Sequence, residues 1–292
     1  MERALGSKVL RVYGTIAVDA QPDEEEVAIH DPAEYAAMAL KGMLEARGIG
    51  VTGKARALHW IPTDARGFLA QTQVPMPGLD PQRAYGRGSR MIGCVNDCPQ
   101  RYAAALADQG TPLATHVSPA VQEDIVVTNK VSQNLHAELF LHDLGASVVA
   151  EGSTAQGARV VKTFLEKVGI DKDDFVFFDG SGLSGHDLVT PRALVRLLQY
   201  ASTQPWFVDW KKSLPVGGED GSLISRFGEA PLKDHVFAKT GTLGEARALS
   251  GYLECASGRT VIFSVMAGNH MPQTNDDRDV TDKIVAAIAA EN

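Results

Sequence analysis

The sequence predicts an α+β fold, in which a group of helices is followed by an antiparallel sheet and a closing helix. Between residues 132 and 202, apolar side chains recur at the spacing of amphipathic helices. Between residues 236 and 267 the pattern changes to three β-like runs, the last two joined by a turn at 256–259. Helices segregated in this way from consecutive strands are typical of α+β domains.

The first sixty residues predict one helix between two strands. Apolar and polar residues alternate over 10–18, which favours a strand, and a second short strand is expected at 49–51. Between them, Asp31 is followed by a proline and then by Glu34, a combination that begins helices. Gly48 is expected to end this helix.

A long loop is predicted over residues 62–110, where the composition shifts to Gly, Pro, Gln and Arg. One helix is expected within it, at 99–107. Since so long a loop is unusual inside a compact unit, a domain border is expected near 110–125. The predicted division is therefore residues 1–115 and residues 116–292.

Three helices are predicted before the sheet. Ser132 is expected to be the N-cap of the first, and Gly145 is expected to end it. A second helix carries apolar residues over 160–168 and stops at Gly169. The third begins at Thr190, which is followed by a proline.

The last third of the chain predicts a meander of strands and a terminal helix. Strands are expected at 236–243, 248–255 and 260–267. A helix is expected over 279–290, with Ile284, Val285 and Ile288 facing inward.

Composition excludes several classes of partner. The chain of 292 residues is 44% hydrophobic and 22% charged, as expected of a globular protein. A formal net charge of −8 argues against nucleic acid and against an anionic membrane surface. No run of about eighteen apolar residues predicts a membrane span. The N-terminal residues contain no apolar stretch of signal-peptide length, so export of the chain as it stands is not expected.

The cysteines leave alternatives open. Cys94 and Cys98 are spaced C-x3-C, and Cys255 stands alone. Two free thiols or a local disulfide explain the pair equally well, and a metal site would need further ligands that do not follow.

Two short motifs carry the chemical information. Lys239-Thr240-Gly241 closes a β-like run, and Ser132-Gln133-Asn134 lies about a hundred residues upstream. They match K-T-G and S-x-N, two of the three motifs of penicillin-binding proteins and serine β-lactamases. The third, S-x-x-K, carries the nucleophile, and no serine in these 292 residues has a lysine three places later. Taken alone, Ser132 is an ordinary helix cap and Lys239 an ordinary edge-strand lysine.

Longer phrases extend this match. They are Val-Thr-Asn-Lys-Val-Ser-Gln-Asn-Leu-His-Ala-Glu, Asp-Gly-Ser-Gly-Leu-Ser, Leu-Val-Thr-Pro-Arg, Leu-Pro-Val-Gly-Gly and Ala-Lys-Thr-Gly-Thr-Leu, in that order. Residues from about 116 to 292 thereby resemble the C-terminal part of the D-alanyl-D-alanine carboxypeptidase/endopeptidase family, the class C low-molecular-mass penicillin-binding proteins. Residues 9–60 are similar to the end of that family's inserted domains. The resemblance implies a penicillin-recognising, transpeptidase-like core, an antiparallel sheet flanked by helices, with residues 1–115 as the remnant of an inserted domain.

The resemblance also implies a site and a reaction. In such enzymes a serine attacks the amide between two D-alanines of a peptidoglycan stem peptide, and β-lactams are attacked in the same way. The implied catalytic residues are Ser132, Asn134 and Lys239, and the implied substrate-binding residues are Thr240, Gly241 and Thr242. Thr242 would also supply a backbone N–H to the oxyanion. The chemistry requires no metal or organic cofactor, and the family works in the periplasm or outside the cell.

Alternatives remain beside the serine D,D-peptidase. Without S-x-x-K, this chain is expected not to form the usual acyl-enzyme by itself. A non-catalytic module that binds peptidoglycan or penicillin is the second hypothesis. A related β-lactamase or esterase is the third, and the stretch Asp179 to Ser184 fits it less well. Ser181 and Ser184 are not in a G-x-S-x-G motif, and a turn with glycines at positive φ explains this stretch better.

Overall fold

The computed structural model describes residues 1–4, 7–22, 27, 29–57, 64, 66–74, 76, 79, 117–149, 151–269 and 274–292. They fall into two compact units, residues 1–63 and residues 64–292. The predicted helix at 99–107 and the cysteine pair lie outside the described residues. The division at residue 115 stays a prediction, because residues 80–116 lie outside them as well.

The helices are α1 Pro32–Glu45, α2 Phe68–Thr72, α3 Val121–Lys130, α4 Asn134–Val149, α5 Thr154–Lys167, α6 Pro191–Ser202, α7 Phe207–Ser213 and α8 Asp276–Glu291. Short 3₁₀ turns occupy Lys172–Asp174 and Gly221–Leu223. The strands are β1 Phe175–Val176, β2 Leu188–Val189, β3 Val236–Leu243, β4 Ala246–Glu254 and β5 Thr260–Ala267. Within the described part of the chain, none of the helices has the length and apolar character needed to cross a bilayer.

In the first unit the helix is confirmed and the strands are wrong. The Asp31 side chain accepts the Glu34 N–H at 2.9 Å, and Gly48 has a φ of +80° after the helix. Residues 10–18 and 49–51 form no strand ladder. Among the described residues, Arg11 of this run pairs only in an isolated antiparallel bridge with Glu2, and Val12 and Ile16 are 72% and 69% exposed, so the alternating pattern faces no core.

Helix α4 corrects two sequence predictions. Ser132 is not its N-cap, because its backbone has a φ of +59° and the helix begins two residues later. Gly145 does not end the helix, which continues to Val149. Glycine is required there for packing, since a Cβ at this position would lie 2.6 Å from the Glu151 carbonyl oxygen.

The end of α5 and the start of α6 agree with the predictions from local sequence. Gly169, with a φ of +89°, ends α5, as predicted. Thr190 caps α6 by accepting the Ala193 N–H at 3.2 Å. Helix α2 is an unpredicted element inside the expected loop. The Phe68 ring stacks on the Phe178 ring with 4.9 Å between their centroids, and the local sequence does not predict this tertiary contact.

The predicted meander is confirmed, with sheet order β3-β4-β5 and antiparallel pairing throughout the described residues. Strand β4 begins two residues earlier than expected. Val236, Leu249 and Leu253 are almost fully buried in the core between the sheet and α8. Val285 on α8 joins this core, whereas Ile284 is 40% exposed and does not face inward as predicted.

Candidate active site

The outer edge of β3, opposite to β4, forms the base of the site. Ala238 donates its N–H to the Pro215 carbonyl at 3.0 Å, away from β4. In an antiparallel strand the N–H and C=O groups of alternate residues point to the same edge. The backbone groups of Thr240 and Thr242 therefore point to this outer edge, where a ligand can reach them.

The two motif residues Ser132 and Lys239 meet beside this edge. The Lys239 ammonium donates to Ser132 Oγ at 2.6 Å and to the Thr240 carbonyl at 2.8 Å. The first contact joins residues 107 positions apart in the sequence. Burial lowers the pKa of Lys239 from its usual value, because the charged form loses hydration.

The turn between α3 and α4 positions Ser132. Its left-handed backbone costs a non-glycine residue about 1 kcal/mol, and the surrounding helices hold it in place. Asn134 is exposed at the first residue of α4, two positions further along the chain. Both side chains therefore project from the same helix start.

A loop spanning residues 215–222 forms the next wall of the site. Lys130, the last residue of α3, donates to both carboxylate oxygens of Asp220 at 2.8 and 2.6 Å. Asp220 Oδ1 also accepts the Val216 N–H at 3.0 Å, which closes the loop on itself. Gly221 has a φ of +57°, and a Cβ there would lie 2.8 Å from the Lys130 carbonyl oxygen.

This 215–222 loop brings an additional hydroxyl to the site. Thr240 Oγ1 donates to Ser222 Oγ at 2.8 Å. Sequence reasoning missed both Asp220 and Ser222. The available signal was the Asp-Gly-Ser triplet at 220–222, which follows the phrase Leu-Pro-Val-Gly-Gly of the family resemblance after one intervening residue, Glu219.

The glycine-rich loop at 179–184 is attached to α4. The Gly180 N–H donates to Glu138 Oε2 at 2.7 Å, and a Cβ on Gly180 would lie 2.5 Å from the Ala137 carbonyl oxygen. The Asp179 carboxylate accepts the Gly182 N–H at 2.5 Å, and Gly182 has a φ of +76°, in agreement with the predicted turn. The loop therefore lies one helical turn beyond Asn134.

Asp187, three residues after this loop, has a carboxyl group with a raised pKa. Burial raises its pKa to about 6, and the neighbouring Asp179 carboxylate acts in the same direction. Its Oδ1 accepts the Phe178 N–H at 2.5 Å. A carboxyl with a raised pKa therefore lies just after the glycine-rich loop.

A metal centre has no counterpart in the described part of the chain, where no three His, Cys, Asp or Glu side chains cluster as ligands would. The arrangement at the outer edge of β3 is instead one ammonium, several hydroxyls and outward-pointing backbone amides. Such a set of donors suits an anionic ligand end and a developing oxyanion.

The chain is similar in sequence to D-alanyl-D-alanine carboxypeptidases. The chain is 29% identical over 275 residues to the D-alanyl-D-alanine carboxypeptidase of an Actinomadura species, covering 92% of this chain and 43% of the relative. It is 32% identical over 158 residues to D-alanyl-D-alanine carboxypeptidase DacB of Haemophilus influenzae, covering 53% of this chain and 33% of the relative. The chain thus spans less than half the length of either relative.

Solved structures agree with the sequence comparison. Penicillin-binding protein 4 (dacB) of Haemophilus influenzae superposes with a TM-score of 0.55 at 27% identity, over 61% of this chain and 42% of that one. The same protein complexed with a β-lactam matches with a TM-score of 0.54 at 25% identity, over 65% and 50% of the two chains. The α+β fold is therefore the penicillin-recognising fold, as predicted.

The family model for D-Ala-D-Ala carboxypeptidase 3 matches residues 101–291, about two thirds of the sequence. Together with the helices, the β3-β4-β5 sheet and the meeting of Ser132 with Lys239, this match assigns the chain to the D-Ala-D-Ala carboxypeptidase 3 (S13) family.

Proposed function

We propose that the groove along the outer edge of β3 binds the D-Ala-D-Ala end of peptidoglycan stem peptides, and β-lactams in their place. The reaction we propose for this protein is that of a serine-type carboxypeptidase or endopeptidase working through an acyl-enzyme. One observation carries the proposal: Lys239 Nζ lies 2.6 Å from Ser132 Oγ, so both motifs border one groove. The location that suits this substrate is the periplasm or the cell exterior.

The substrate carboxylate is assigned to Lys239, Thr240 and Thr242. Lys239 supplies the charge, and the two threonine hydroxyls supply directed hydrogen bonds. The Thr242 N–H, which points to the outer edge of β3, is placed to stabilise the oxyanion that forms at the attacked carbonyl. Gly241 leaves room for the substrate rather than for its own neighbours, since a Cβ there would meet Ala248 only at an ordinary 3.7 Å.

Ser132 and Asn134 are assigned to the leaving group and the peptide backbone. Lys239 holds a proton against Ser132 Oγ, and its lowered pKa eases transfer of that proton through the hydroxyl to the departing amine. Asn134 can both donate to and accept from a substrate amide. No step in this scheme calls for a cofactor.

A serine nucleophile is the remaining requirement of this reaction. Because these 292 residues contain no Ser-x-x-Lys, we propose that this chain by itself binds its ligand without becoming acylated. Removing the nucleophile of a serine hydrolase lowers turnover by a factor on the order of 10⁶, as in subtilisin. The second candidate function, a non-catalytic binding module, shares the groove and differs in having no reaction to perform.

Two measurements on the purified chain test the proposal. Incubation with a fluorescent penicillin should give no stoichiometric covalent label, and such a label would contradict the account of the nucleophile. Equilibrium binding of diacetyl-L-lysyl-D-alanyl-D-alanine should weaken about tenfold or more in Lys239→Met, because a charge-assisted contact contributes about 1.5–3 kcal/mol.

Lys283→Met is the matched control. It removes an exposed lysine from α8, a helix that packs against the buried core of the sheet and contributes no residue to the proposed groove. It should bind the peptide like the unmodified chain. Equal affinities for the Lys239 and Lys283 variants would contradict the proposed groove.

A further inference from the structure

The hydroxyl pair Thr240–Ser222 contains a directional conflict with the proposed carboxylate site. Thr240 Oγ1 donates its hydrogen to Ser222 Oγ at 2.8 Å. A hydroxyl has one hydrogen, and a carboxylate can only accept. While Thr240 donates to Ser222, it therefore has no hydrogen left for a substrate carboxylate.

Reversing the bond removes the conflict. If Ser222 donates to Thr240 Oγ1, the threonine hydrogen becomes available to the groove, and the two hydroxyls form a short chain that ends on the ligand. Each bond in such a chain polarises the next, so the threonine becomes a better donor.

The 215–222 loop holds Ser222 next to Thr240, where the direction of their hydrogen bond can reverse. The Asp220 carboxylate, bound to Lys130, fixes the preceding turn, and Gly221 passes too close to the Lys130 carbonyl for any side chain. Ser222 itself is exposed. Its hydroxyl is therefore presented by a well-anchored loop rather than buried for the sake of folding.

We propose that Ser222 is a positioning residue of the carboxylate site, which acts by accepting from Thr240 in the empty groove and donating to it when an anion is bound. This inference rests on the proposed function, because it assumes a terminal carboxylate as the ligand group. It adds a residue from a third segment of the chain to the two motifs. The predicted consequence is selectivity for a carboxylate over an uncharged end.

The test compares three ligands by isothermal titration calorimetry: diacetyl-L-lysyl-D-alanyl-D-alanine, the same peptide with a C-terminal amide, and N-acetyl-D-alanine. Ser222→Ala should weaken binding of both carboxylates about twofold, because the Ser222–Thr240 hydrogen bond exists with and without ligand and only its polarisation of the Thr240 donor is lost. It should leave binding of the amide unchanged. Ser222→Thr, which keeps the hydroxyl, should restore carboxylate affinity.

Ser225→Ala serves as the control, since it removes another exposed serine hydroxyl three residues further on. It should match the unmodified chain with every ligand. Thermal unfolding of each variant verifies that the fold is retained.

The outcomes separate this inference from the proposed function. If Ser222→Ala binds the peptide acid as well as the unmodified chain does, the inference is overturned and the proposed function stands. If the variant loses acid and amide binding equally, Ser222 has a structural role and the inference is again overturned. If the chain ignores both peptides but binds N-acetyl-D-alanine in a Ser222-dependent way, the inference stands and the proposed substrate is wrong. No binding of any carboxylate would overturn both.

Discussion

Breaking the ion pair between Lys130 and Asp220 should lower the free energy of unfolding of the second unit. The size of this effect depends on how exposed the two side chains are to solvent. The Lys130 side chain is 17% exposed and that of Asp220 is 41% exposed. Exposed ion pairs contribute about 0–1 kcal/mol, and removing one partner of a buried pair costs about 3–5 kcal/mol. With one partner largely buried and the other open to solvent, we expect a coupling free energy of about 1.5 kcal/mol.

A double-mutant cycle measures this coupling directly. The free energies of unfolding in urea are compared for the unmodified chain, Lys130→Met, Asp220→Asn and the double variant. Asparagine keeps an oxygen that can accept the Val216 N–H, so the cycle isolates the charge interaction from the closure of the loop. Additive effects, with a coupling below about 0.3 kcal/mol, would refute the reasoning that this pair anchors the 215–222 loop.

Two further predictions concern Asp187 and the glycine-rich loop before it. The raised pKa of Asp187, about 6 against an ordinary 3.8, means that the folded state binds a proton more tightly than the unfolded chain. Stability from this group is therefore present below pH 3.8 and lost as the pH rises to about 6, so Asp187→Asn should lessen the fall in urea midpoint between pH 4 and pH 7. An unchanged pH profile in that variant would contradict the assignment. Gly180→Ala should lower the free energy of unfolding by about 2 kcal/mol or more, since its Cβ would lie 2.5 Å from the Ala137 carbonyl. Gly182→Ala, whose Cβ meets nothing within 4 Å, should cost only the strain of its positive φ, about 1 kcal/mol, and a reversed order would be inconsistent with the described packing.

Local signals in the sequence were sufficient for much of the fold. Thr190 caps its helix through its own side chain, and Gly169 takes the positive φ that ends a helix, so neither depends on distant residues. The β-like runs at 236–243 and 260–267 form strands because each has a neighbouring strand to pair with. The run at 10–18, in which apolar and polar residues do alternate, forms no ladder, because pairing depends on a partner strand that the local pattern cannot supply.

The two glycines Gly145 and Gly169 show why helix ends cannot always be predicted from sequence. Gly169 ends a helix, whereas Gly145 lies inside one because the Glu151 carbonyl passes too close for a side chain. Both have the same local appearance, and the difference is a tertiary contact. The short helix α2 was missed for the same reason, since Phe68 is held by stacking on Phe178.

Some residues of the candidate site were predicted from sequence motifs, and others are identified only by tertiary contacts. Ser132 and Lys239 were identified by motif, and the structure brings their side-chain atoms within hydrogen-bond distance. The roles assigned to them, and to Asn134 and Thr242, stay proposals. Asp220 and Ser222 lie outside the K-T-G and S-x-N motifs, and the contacts of the 215–222 loop with α3 and β3 identify them.

The most direct test of the central claim follows the backbone amides of β3 while the D-Ala-D-Ala peptide is added. In ¹⁵N-labelled protein, the amide signals of Thr240 and Thr242 should shift with ligand concentration, because their N–H groups point to the outer edge of the strand. The amides of Gly241 and Leu243 point toward β4 and should shift much less. Shifts confined to other parts of the chain, with Thr240 and Thr242 unmoved at saturating peptide, would contradict a substrate groove at this edge.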